Sequence, residues 1–565
     1  MKHSLFATII LTLFFYSCTS EKVKIQIIET TDVHGRFFNY DFATDTQKNG
    51  SMGQVAQYIK QQRQQNGEIL LLDNGDILQG TPTAYYSNFV DTVHKNIMVR
   101  ILGDLHYDAA TVGNHDIETG PKVYNKVKEE LSFPWLGANI IDIKTGKPAF
   151  RPYTIVEKKG VKIAILGILT PGIPNWLPHK LYKGLEFADM VETAEKWMPE
   201  IKKNQPDIII GLFHAGLNPA YGGFKKGAYK NPNATLRVAK EVPGFDIVFA
   251  GHDHRRTIKK VVNTENDTVT VINGGSHAKW IGSAELVYDN KNKRIESITP
   301  QIVDLSQYKT DKSYESKYGT YLDSVKNYFK EPVGWLGTEL CPQEALFGPS
   351  AFMQFIHQVQ LSATNARVSL SAPLQIYTCI DTGTIYRSDI FALYRYENYL
   401  AEMNMTAGEI DRFLEHGVSS WFNTMQNKSD NLLNYNEEGH LDAPYYNFSS
   451  ALGVHYKVDV TQKPGNRVTI TQVDGKIDFK TEDTVRVALN SYRMVGGGGH
   501  MPDGTGIDLE TLKERNVLLS EVPIKNIMMK YFNNHDSVWI NTEINWHLTP
   551  EKWTKQARQK EIQNF

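Results

Sequence analysis

Cysteine is scarce in this sequence, and an excess of charge of either sign is missing. Only three of the 565 residues are cysteines, which excludes a disulfide-built scaffold and a cysteine-rich zinc site but still allows one bridge. Lys and Arg number 61 and Asp and Glu number 63, so the formal net charge is −2. Duplex nucleic acid and acidic membranes attract basic surfaces, so this balance indicates that any nucleic-acid-related ligand is small.

The N-terminus has the layout of a secretory signal. Lys2 and His3 precede an apolar run from Leu5 to Tyr16, which is followed by a serine and Cys18. This run is too short for the roughly 20 residues of a membrane-spanning helix. A cysteine after a small residue resembles the lipobox of bacterial lipoproteins. We therefore expect a lipoprotein signal peptide over residues 1–18, lipidation at Cys18, and a periplasmic or cell-envelope protein attached to the membrane only through lipid. The alternative is a plain signal peptide with an incidental cysteine.

The remaining chain predicts two α/β domains. At roughly 100–200 residues per domain, the length excludes a single small binding module. Between residues 23 and 305, short aliphatic runs alternate with amphipathic stretches, as in sheets that are covered on both faces. A polar, helical-looking linker is expected over 306–340 and a second α/β domain over 341–530, while 531–565 is left as a polar tail.

Five segments of the first domain place metal-binding residue types directly after an apolar run. They are Asp32-Val33-His34-Gly35, Asn74-Gly75-Asp76, Gly113-Asn114-His115-Asp116, His214 and Gly251-His252-Asp253-His254. Ligand sites in open α/β sheets form beyond the carboxyl ends of the strands, so these segments should converge at one edge. Carboxylate, imidazole and amide donors without thiolate suit a pair of divalent cations, such as Mn²⁺, Zn²⁺, Fe²⁺ or Co²⁺, rather than a structural zinc.

The order of these motifs resembles the calcineurin-like metallophosphoesterase superfamily. With the signal, the length and a second domain, the chain is similar to the secreted 5′-nucleotidase / 2′,3′-cyclic-nucleotide phosphodiesterase family. The resemblance implies a four-layer α/β/β/α first domain followed by an α/β substrate-binding domain. It also implies two metal ions, one held by Asp32, His34, Asp76 and His254, and the other by Asp76 as a bridge, Asn114, His214 and His252.

The same resemblance assigns the catalytic residues. His115 would donate to the phosphoryl or leaving-group oxygen, and Glu118 would pair with it where the family usually has Asp. Such a carboxylate favours the charged imidazole.

In the second domain, the resemblance implies an aromatic clamp for a nucleobase. The segments Tyr396-Glu397-Asn398 and Asn490-Ser491-Tyr492, ahead of Gly496-Gly497, match the family pattern, so Tyr396, Asn398 and Tyr492 are the candidate substrate contacts. Members specific for 5′-nucleotides usually carry an arginine shortly before the first segment, and here the corresponding residue is Tyr377.

The chain is therefore closest in pattern to the 2′,3′-cyclic-nucleotide 2′-phosphodiesterase / 3′-nucleotidase branch. A nucleotide or cyclic nucleotide is the expected partner, and the protein is expected to be a monomer. One alternative is a 5′-nucleotidase or nucleotide-sugar diphosphatase. Another is a surface nucleotide-binding protein without catalysis.

Overall fold

The computed structural model describes residues 22–42, 44–220, 225–394, 396–508, 511–512, 515 and 517–565. The expected signal peptide and Cys18 lie outside these ranges. Among the helices described, none is both long enough and apolar enough to span a membrane.

Two six-stranded sheets form the centre of the first domain. In spatial order, the first sheet contains Arg294–Asp304, Trp280–Asp289, Lys22–Thr30, Ile69–Asp73, Ala109–Thr111 and Trp135–Leu136. The second contains Arg256–Val262, Thr268–Gly274, Ile247–Ala250, Ile208–His214, Val161–Leu169 and Tyr153–Lys158. Side chains of both sheets, among them Ile27, Leu70, Ile165 and Ile210, share one buried cluster. The sheets therefore pack face to face.

Helices cover the outer face of each sheet. Met52–Asn66, Ile97–Asp104 and Pro121–Glu130 pack on the first sheet, and Met190–Lys203 and Thr235–Glu241 pack on the second. Each helix buries its apolar side, as Ile97 and Leu102 do in the second of them. The succession helix, sheet, sheet, helix confirms the four-layer α/β/β/α architecture expected for this domain.

Short elements join these layers. They are the strand pairs Tyr40–Asp41 with Thr46–Gln47 and Ile140–Asp142 with Leu185–Phe187, and the single-turn or short helices Pro82–Tyr85, Tyr86–Val90, Asn114–Glu118, Ile173–Asn175, His179–Leu181 and Leu305–Gln307.

The strands that precede the predicted motifs end at a common edge. Parallel neighbours are Lys22–Thr30, Ile69–Asp73 and Ala109–Thr111 in the first sheet, and Ile208–His214 and Ile247–Ala250 in the second. At this edge, the side-chain amide of Asn74 donates to the carbonyl of Phe213 at 3.2 Å. This hydrogen bond joins the ends of the two sheets.

A helix from Lys312 to Phe329 contacts both domains. The Asp311 carboxylate caps its first turn by accepting the backbone N–H of Tyr314 at 3.0 Å. Tyr314 is buried in the core of the first domain, whereas the ring of Phe329 lies 4.8 Å from that of Phe391 in the second. The segment expected as a linker is thus anchored at both ends.

A five-stranded mixed sheet organises the second domain, which is α/β as expected. Its spatial order is Ser450–Leu452, Val368–Ser371, Thr484–Asn490, Tyr399–Thr406 and Leu518–Pro523. The domain also contains the helices Ala351–Ser362, Arg387–Leu393, Ala407–Trp421, Ser491–Met494 and Ile524–Asn533, the 3₁₀ turns Pro342–Leu346 and Tyr445–Asn447, and the strand pair Pro332–Leu336 and Gly383–Tyr386. A disulfide joins Cys341 and Cys379, so the one bridge that the sequence allowed is formed.

The C-terminal segment 531–565 packs into the second domain rather than forming a separate tail. The boundary expected at 530 falls inside the helix Ile524–Asn533. Farther on, Trp546–Thr549 joins a three-stranded sheet, and the last helix, Glu551–Glu561, closes the domain. The Glu561 carboxylate accepts the backbone N–H of Leu432 at 2.6 Å. Because the composition of this segment is polar, the sequence did not predict these anchoring contacts.

Candidate active site

All seven side chains predicted as metal ligands lie at the common edge of the two sheets. They are Asp32, His34, Asp76, Asn114, His214, His252 and His254. The structure arranges them as two adjoining groups, each of which combines carboxylate and imidazole donors.

Asp32, His34 and His254 form the first group, with one coordinating atom of each within 4.8 Å of the others. His254 Nε2 lies 2.9 Å from His34 Nε2 and 3.3 Å from Asp32 Oδ1. Ring nitrogens and a carboxylate oxygen that point at one place fit a divalent cation of the first transition row or zinc.

Asp76, His214 and His252 form the second group at the same spacing. His214 Nε2 lies 3.1 Å from Asp76 Oδ2. The amide oxygen of Asn114 completes the set, at 3.1 Å from His214 Nε2 and 2.7 Å from His252 Nδ1. Carboxylate, imidazole and amide donors suit divalent metal ions, and both donor sets fit such ions.

The charges of the two carboxylates are favoured by their neighbours. Burial raises the pKa of Asp32, but the hydrogen bond from His254 and the charge of His214 outweigh it and lower that pKa below its usual value. Asp76 behaves in the same way, because His214 and His115 lie close to it. Both carboxylates are therefore ionised, as cation ligands must be.

Strained backbone conformations set the direction of several ligand side chains. Asp32, His34, Asp76, His252 and His254 all have φ between 49° and 77°, a left-handed region that residues other than glycine rarely adopt. Such conformations persist where the surrounding structure imposes them, and they cluster at functional sites.

Hydrogen bonds hold these loops in place. The Asp116 carboxylate accepts four backbone N–H groups, those of Asp76, Ile77, Leu78 and Gly113, at 2.8–3.1 Å. From the sequence, Asp116 is only one residue of a candidate ligand motif. In the structure, its carboxylate instead binds the backbone of the loops that carry the ligands. His214 Nδ1 donates to the carbonyl of Asn74 at 2.6 Å, which leaves Nε2 as the coordinating nitrogen.

His115 lies beside both groups. Its backbone N–H donates to Asp76 Oδ1 at 2.7 Å, and its ring centroid is 5.2 Å from that of His34. Nδ1 donates to Glu118 Oε2 at 2.5 Å. Glu118 therefore pairs with His115 although its side chain is one methylene longer than that of Asp. Burial opposes protonation, but the carboxylates of Asp76 and Glu118 outweigh it and raise the pKa of His115 to about 9. Both carboxylates thus favour the charged imidazole, whose Nε2–H is the atom that can donate.

Two residues of this site were missed by sequence reasoning. The ring of His277 lies 5.3 Å from that of His34 and 5.4 Å from that of His254. Trp176 stacks on His252 with centroids 5.1 Å apart. His277 follows the strand Thr268–Gly274 closely, so the rule that found the other ligands could have found it. Trp176 sits in an irregular loop and carries no such signal.

The three substrate residues predicted in the second domain differ in their accessibility. Tyr396 and Tyr492 are half-buried. The Tyr396 ring packs against Tyr446 with centroids 6.4 Å apart. Asn398, in contrast, is buried, and its amide donates to the hydroxyl of Tyr394 at 3.3 Å. Asn398 therefore supports the segment from within, whereas Tyr396 and Tyr492 remain the candidates for contact with a base.

A small cavity at the interface of the two domains is lined by Glu118, whose carboxylate accepts from His115 Nδ1, and by Glu397 and Tyr399 of the second domain. On one side of the interface, Lys180 Nζ donates to the carbonyl of Ser520 at 2.6 Å and lies 3.7 Å from the centroid of the Tyr399 ring. The segment that carries Tyr396 is thus in contact with the domain that carries the metal ligands.

Comparison with known proteins finds a family match for each half of the chain. A family model of calcineurin-like phosphoesterases matches residues 25–256, and a model of the 5′-nucleotidase C-terminal domain matches residues 337–503. A 2′,3′-cyclic-nucleotide 2′-phosphodiesterase/3′-nucleotidase of Haemophilus influenzae is 27% identical over 600 residues, which cover 94% of this chain and 88% of that protein. The trifunctional nucleotide phosphoesterase protein YfkN of Bacillus subtilis is 25% identical over 94% of this chain, which spans only 39% of its length.

Among solved structures, the 5′-nucleotidase precursor of Thermus thermophilus superimposes with a TM-score of 0.63 over 94% of this chain and 100% of the other. The two chains are only 19% identical, so the likeness establishes the fold alone.

Proposed function

Because the chain belongs to the calcineurin-like phosphoesterases that carry a 5′-nucleotidase C-terminal domain, we propose that it is a two-metal phosphoester hydrolase of nucleotides. Its preferred reaction is hydrolysis of the 2′-phosphoester bond of 2′,3′-cyclic nucleotides. It also acts as a 3′-nucleotidase. The observation that carries the proposal is the convergence of both donor groups and His115 at one edge of the sheets.

Each donor group would hold one divalent ion. Asp32, His34 and His254 would contribute to one site and Asn114, His214 and His252 to the other, and the Asp76 carboxylate would serve both. When bound, two such ions neutralise phosphoryl charge and make water a stronger nucleophile. Mn²⁺, Zn²⁺, Fe²⁺ and Co²⁺ all suit these donors.

The protein's own residues account for the departure of the leaving group. Nδ1–H of His115 is held by Glu118, so the Nε2 proton faces the reacting group. As water adds to phosphorus, the bond to the ribose 2′-oxygen breaks, and His115 donates its proton to that oxygen. The product is a 3′-phosphomonoester, and a second hydrolysis at the 3′-oxygen gives nucleoside and phosphate.

Features of the second domain favour a cyclic or 3′-nucleotide. Tyr396 and Tyr492 can stack on any base, because every base has a π-face. Tyr377, where 5′-nucleotide-specific members carry arginine, is 68% exposed and adds no positive charge. The name of the H. influenzae relative agrees with this substrate class, and that of the B. subtilis relative agrees with nucleotide phosphoesters in general.

Hydrolysis of 2′,3′-cAMP, 3′-AMP and 5′-AMP by the same metal-loaded sample tests the proposal. We expect the highest kcat/KM for 2′,3′-cAMP, measurable turnover of 3′-AMP and the lowest rate for 5′-AMP. A clear preference for 5′-AMP would establish the 5′-nucleotidase alternative. Absence of turnover on all three would favour a protein that only binds nucleotides.

We further propose that the protein works outside the cytoplasm, as a monomer anchored through Cys18, in nucleotide and phosphate scavenging. The Cys341–Cys379 disulfide supports an oxidising compartment. Replacing Cys18 with Ser should move the protein from the membrane to the soluble fraction. If the Cys18→Ser variant stays with the membrane, the anchor lies elsewhere.

A further inference from the structure

A third imidazole, that of His277, stands beside the first ligand group without belonging to it. The residue lies in the loop between Thr268–Gly274 and Trp280–Asp289, on the same edge as the five motifs. Its backbone N–H donates to the carbonyl of Asp32 at 2.8 Å. A ligand residue and His277 are thus fixed to each other through the main chain.

The loop holds His277 in a conformation like that of the ligands. Its φ is 61°, and that of the following residue, Ala278, is 50°. Gly50 packs directly against this loop, since a Cβ there would come within 2.6 Å of the His277 carbonyl oxygen. Left-handed geometry at a non-glycine residue has an energetic cost and is kept where a side chain must point in a set direction.

The position of the ring suits contact with a bound group rather than with the ion itself. Nδ1 lies 2.8 Å from the hydroxyl oxygen of Ser276, so Nε2 is the nitrogen left to reach into the site. His277 is not part of the set of coordinating atoms within 4.8 Å that Asp32, His34 and His254 form. Its ring is nevertheless only 5.3 Å and 5.4 Å from the rings of the two histidines of that group, and the residue is partly exposed.

We propose that His277 Nε2 donates a hydrogen bond to a phosphoryl oxygen of the substrate held at the Asp32, His34 and His254 group. The inference rests on the proposed phosphoesterase function and adds a phosphate-positioning residue to it. A hydroxyl of Ser276 that donates to Nδ1 leaves the proton on Nε2, which makes the neutral imidazole a donor at that atom. A hydrogen bond to a charged oxygen in a partly buried site changes an affinity by about tenfold.

Inorganic phosphate is the probe that isolates this contact. Its dissociation constant is measured by calorimetry on the metal-loaded full chain, and metal content is measured on the same samples. We expect His277→Ala and His277→Phe to weaken phosphate binding about tenfold with unchanged metal content. His277→Gln keeps an N–H donor at similar reach and should lose much less. His94→Ala removes an exposed histidine whose side chain pairs with nearby Asp91 and serves as the matched control.

The phenylalanine variant keeps the ring volume, so it tests the donor even if His277→Ala fails to fold. Unchanged phosphate affinity in His277→Phe would overturn the proposal, because the ring would then contribute only packing and no hydrogen bond. Loss of metal from the Phe variant would also overturn it, because His277 would then be a ligand. Phosphate binding does not depend on nucleotide preference, so failure of the nucleotide panel and failure of His277 are distinguishable.

Discussion

The metal-ligand edge of the first domain and the aromatic faces of the second are built in different ways. Every ligand at the edge follows a strand or lies in a loop fixed by backbone hydrogen bonds, and five of them have left-handed φ values. Tyr396 and Tyr492 are half-buried rings, and Tyr396 packs edge to face on Tyr446. Charged groups in a buried site need defined partners, whereas a base requires only an exposed ring face.

This difference predicts unequal responses to mutation. Changes at the edge should abolish the reaction or remove an ion, since each carboxylate and imidazole has a defined role in holding charge. Changes at the aromatic faces should alter affinity by degrees.

Asp76→Asn should lower kcat/KM for 2′,3′-cAMP by about a thousandfold or more, because one carboxylate is shared by both ion sites. The amide keeps the size of the side chain and loses its charge. Activity and metal content are measured together, with the exposed Asp381→Asn as the control. Wild-type activity in Asp76→Asn would show that the two-metal interpretation is wrong.

His115→Asn should reduce kcat for 2′,3′-cAMP about a hundredfold or more, as loss of a general acid does, and leave metal content unchanged. Nitrophenolate leaves without protonation, so bis(p-nitrophenyl) phosphate should suffer much less. An equal loss on both substrates would mean that His115 does not protonate the leaving group.

Tyr396→Ala and Tyr492→Ala should each raise KM for nucleotides about tenfold, since base stacking contributes about 1–3 kcal/mol per base. Phenylalanine at either position should restore KM, and glycerol phosphate, which has no base, should be hydrolysed as by the wild type. Tyr229→Ala, at a tyrosine that is 66% exposed, is the control. If glycerol phosphate is affected as strongly as nucleotides, the rings do not act on the base.

Lys180→Met should have the smallest effect, a rise in nucleotide KM of about threefold, as expected for one partly exposed cation–π contact. Lys180 contacts Tyr399 and Ser520 across the domain interface, and Trp176 in the same loop region stacks on His252. Hydrolysis of glycerol phosphate is the internal control. A nucleotide KM equal to that of the wild type would show that this contact does not position the base-binding segment.

The sequence predicted the edge better than the aromatic region, for physical reasons. Parallel strands end together, so a strand followed by Asp or His can be assigned to one edge without coordinates. The same rule could not show that Asp116 would turn under the loops and accept four backbone N–H groups, because its residue type also suits a ligand. In the second domain, the local pattern could not show that Asn398 would be buried. The tail beyond 530 depends on partners distant in sequence, such as Leu432 for Glu561.

Anomalous diffraction of crystals loaded with Mn²⁺ tests the two-metal site most directly. We expect two strong peaks per chain, one among Asp32, His34 and His254 and one among Asn114, His214 and His252, with the Asp76 carboxylate contacting both. A single peak, or peaks away from these residues, would contradict the two-metal assignment.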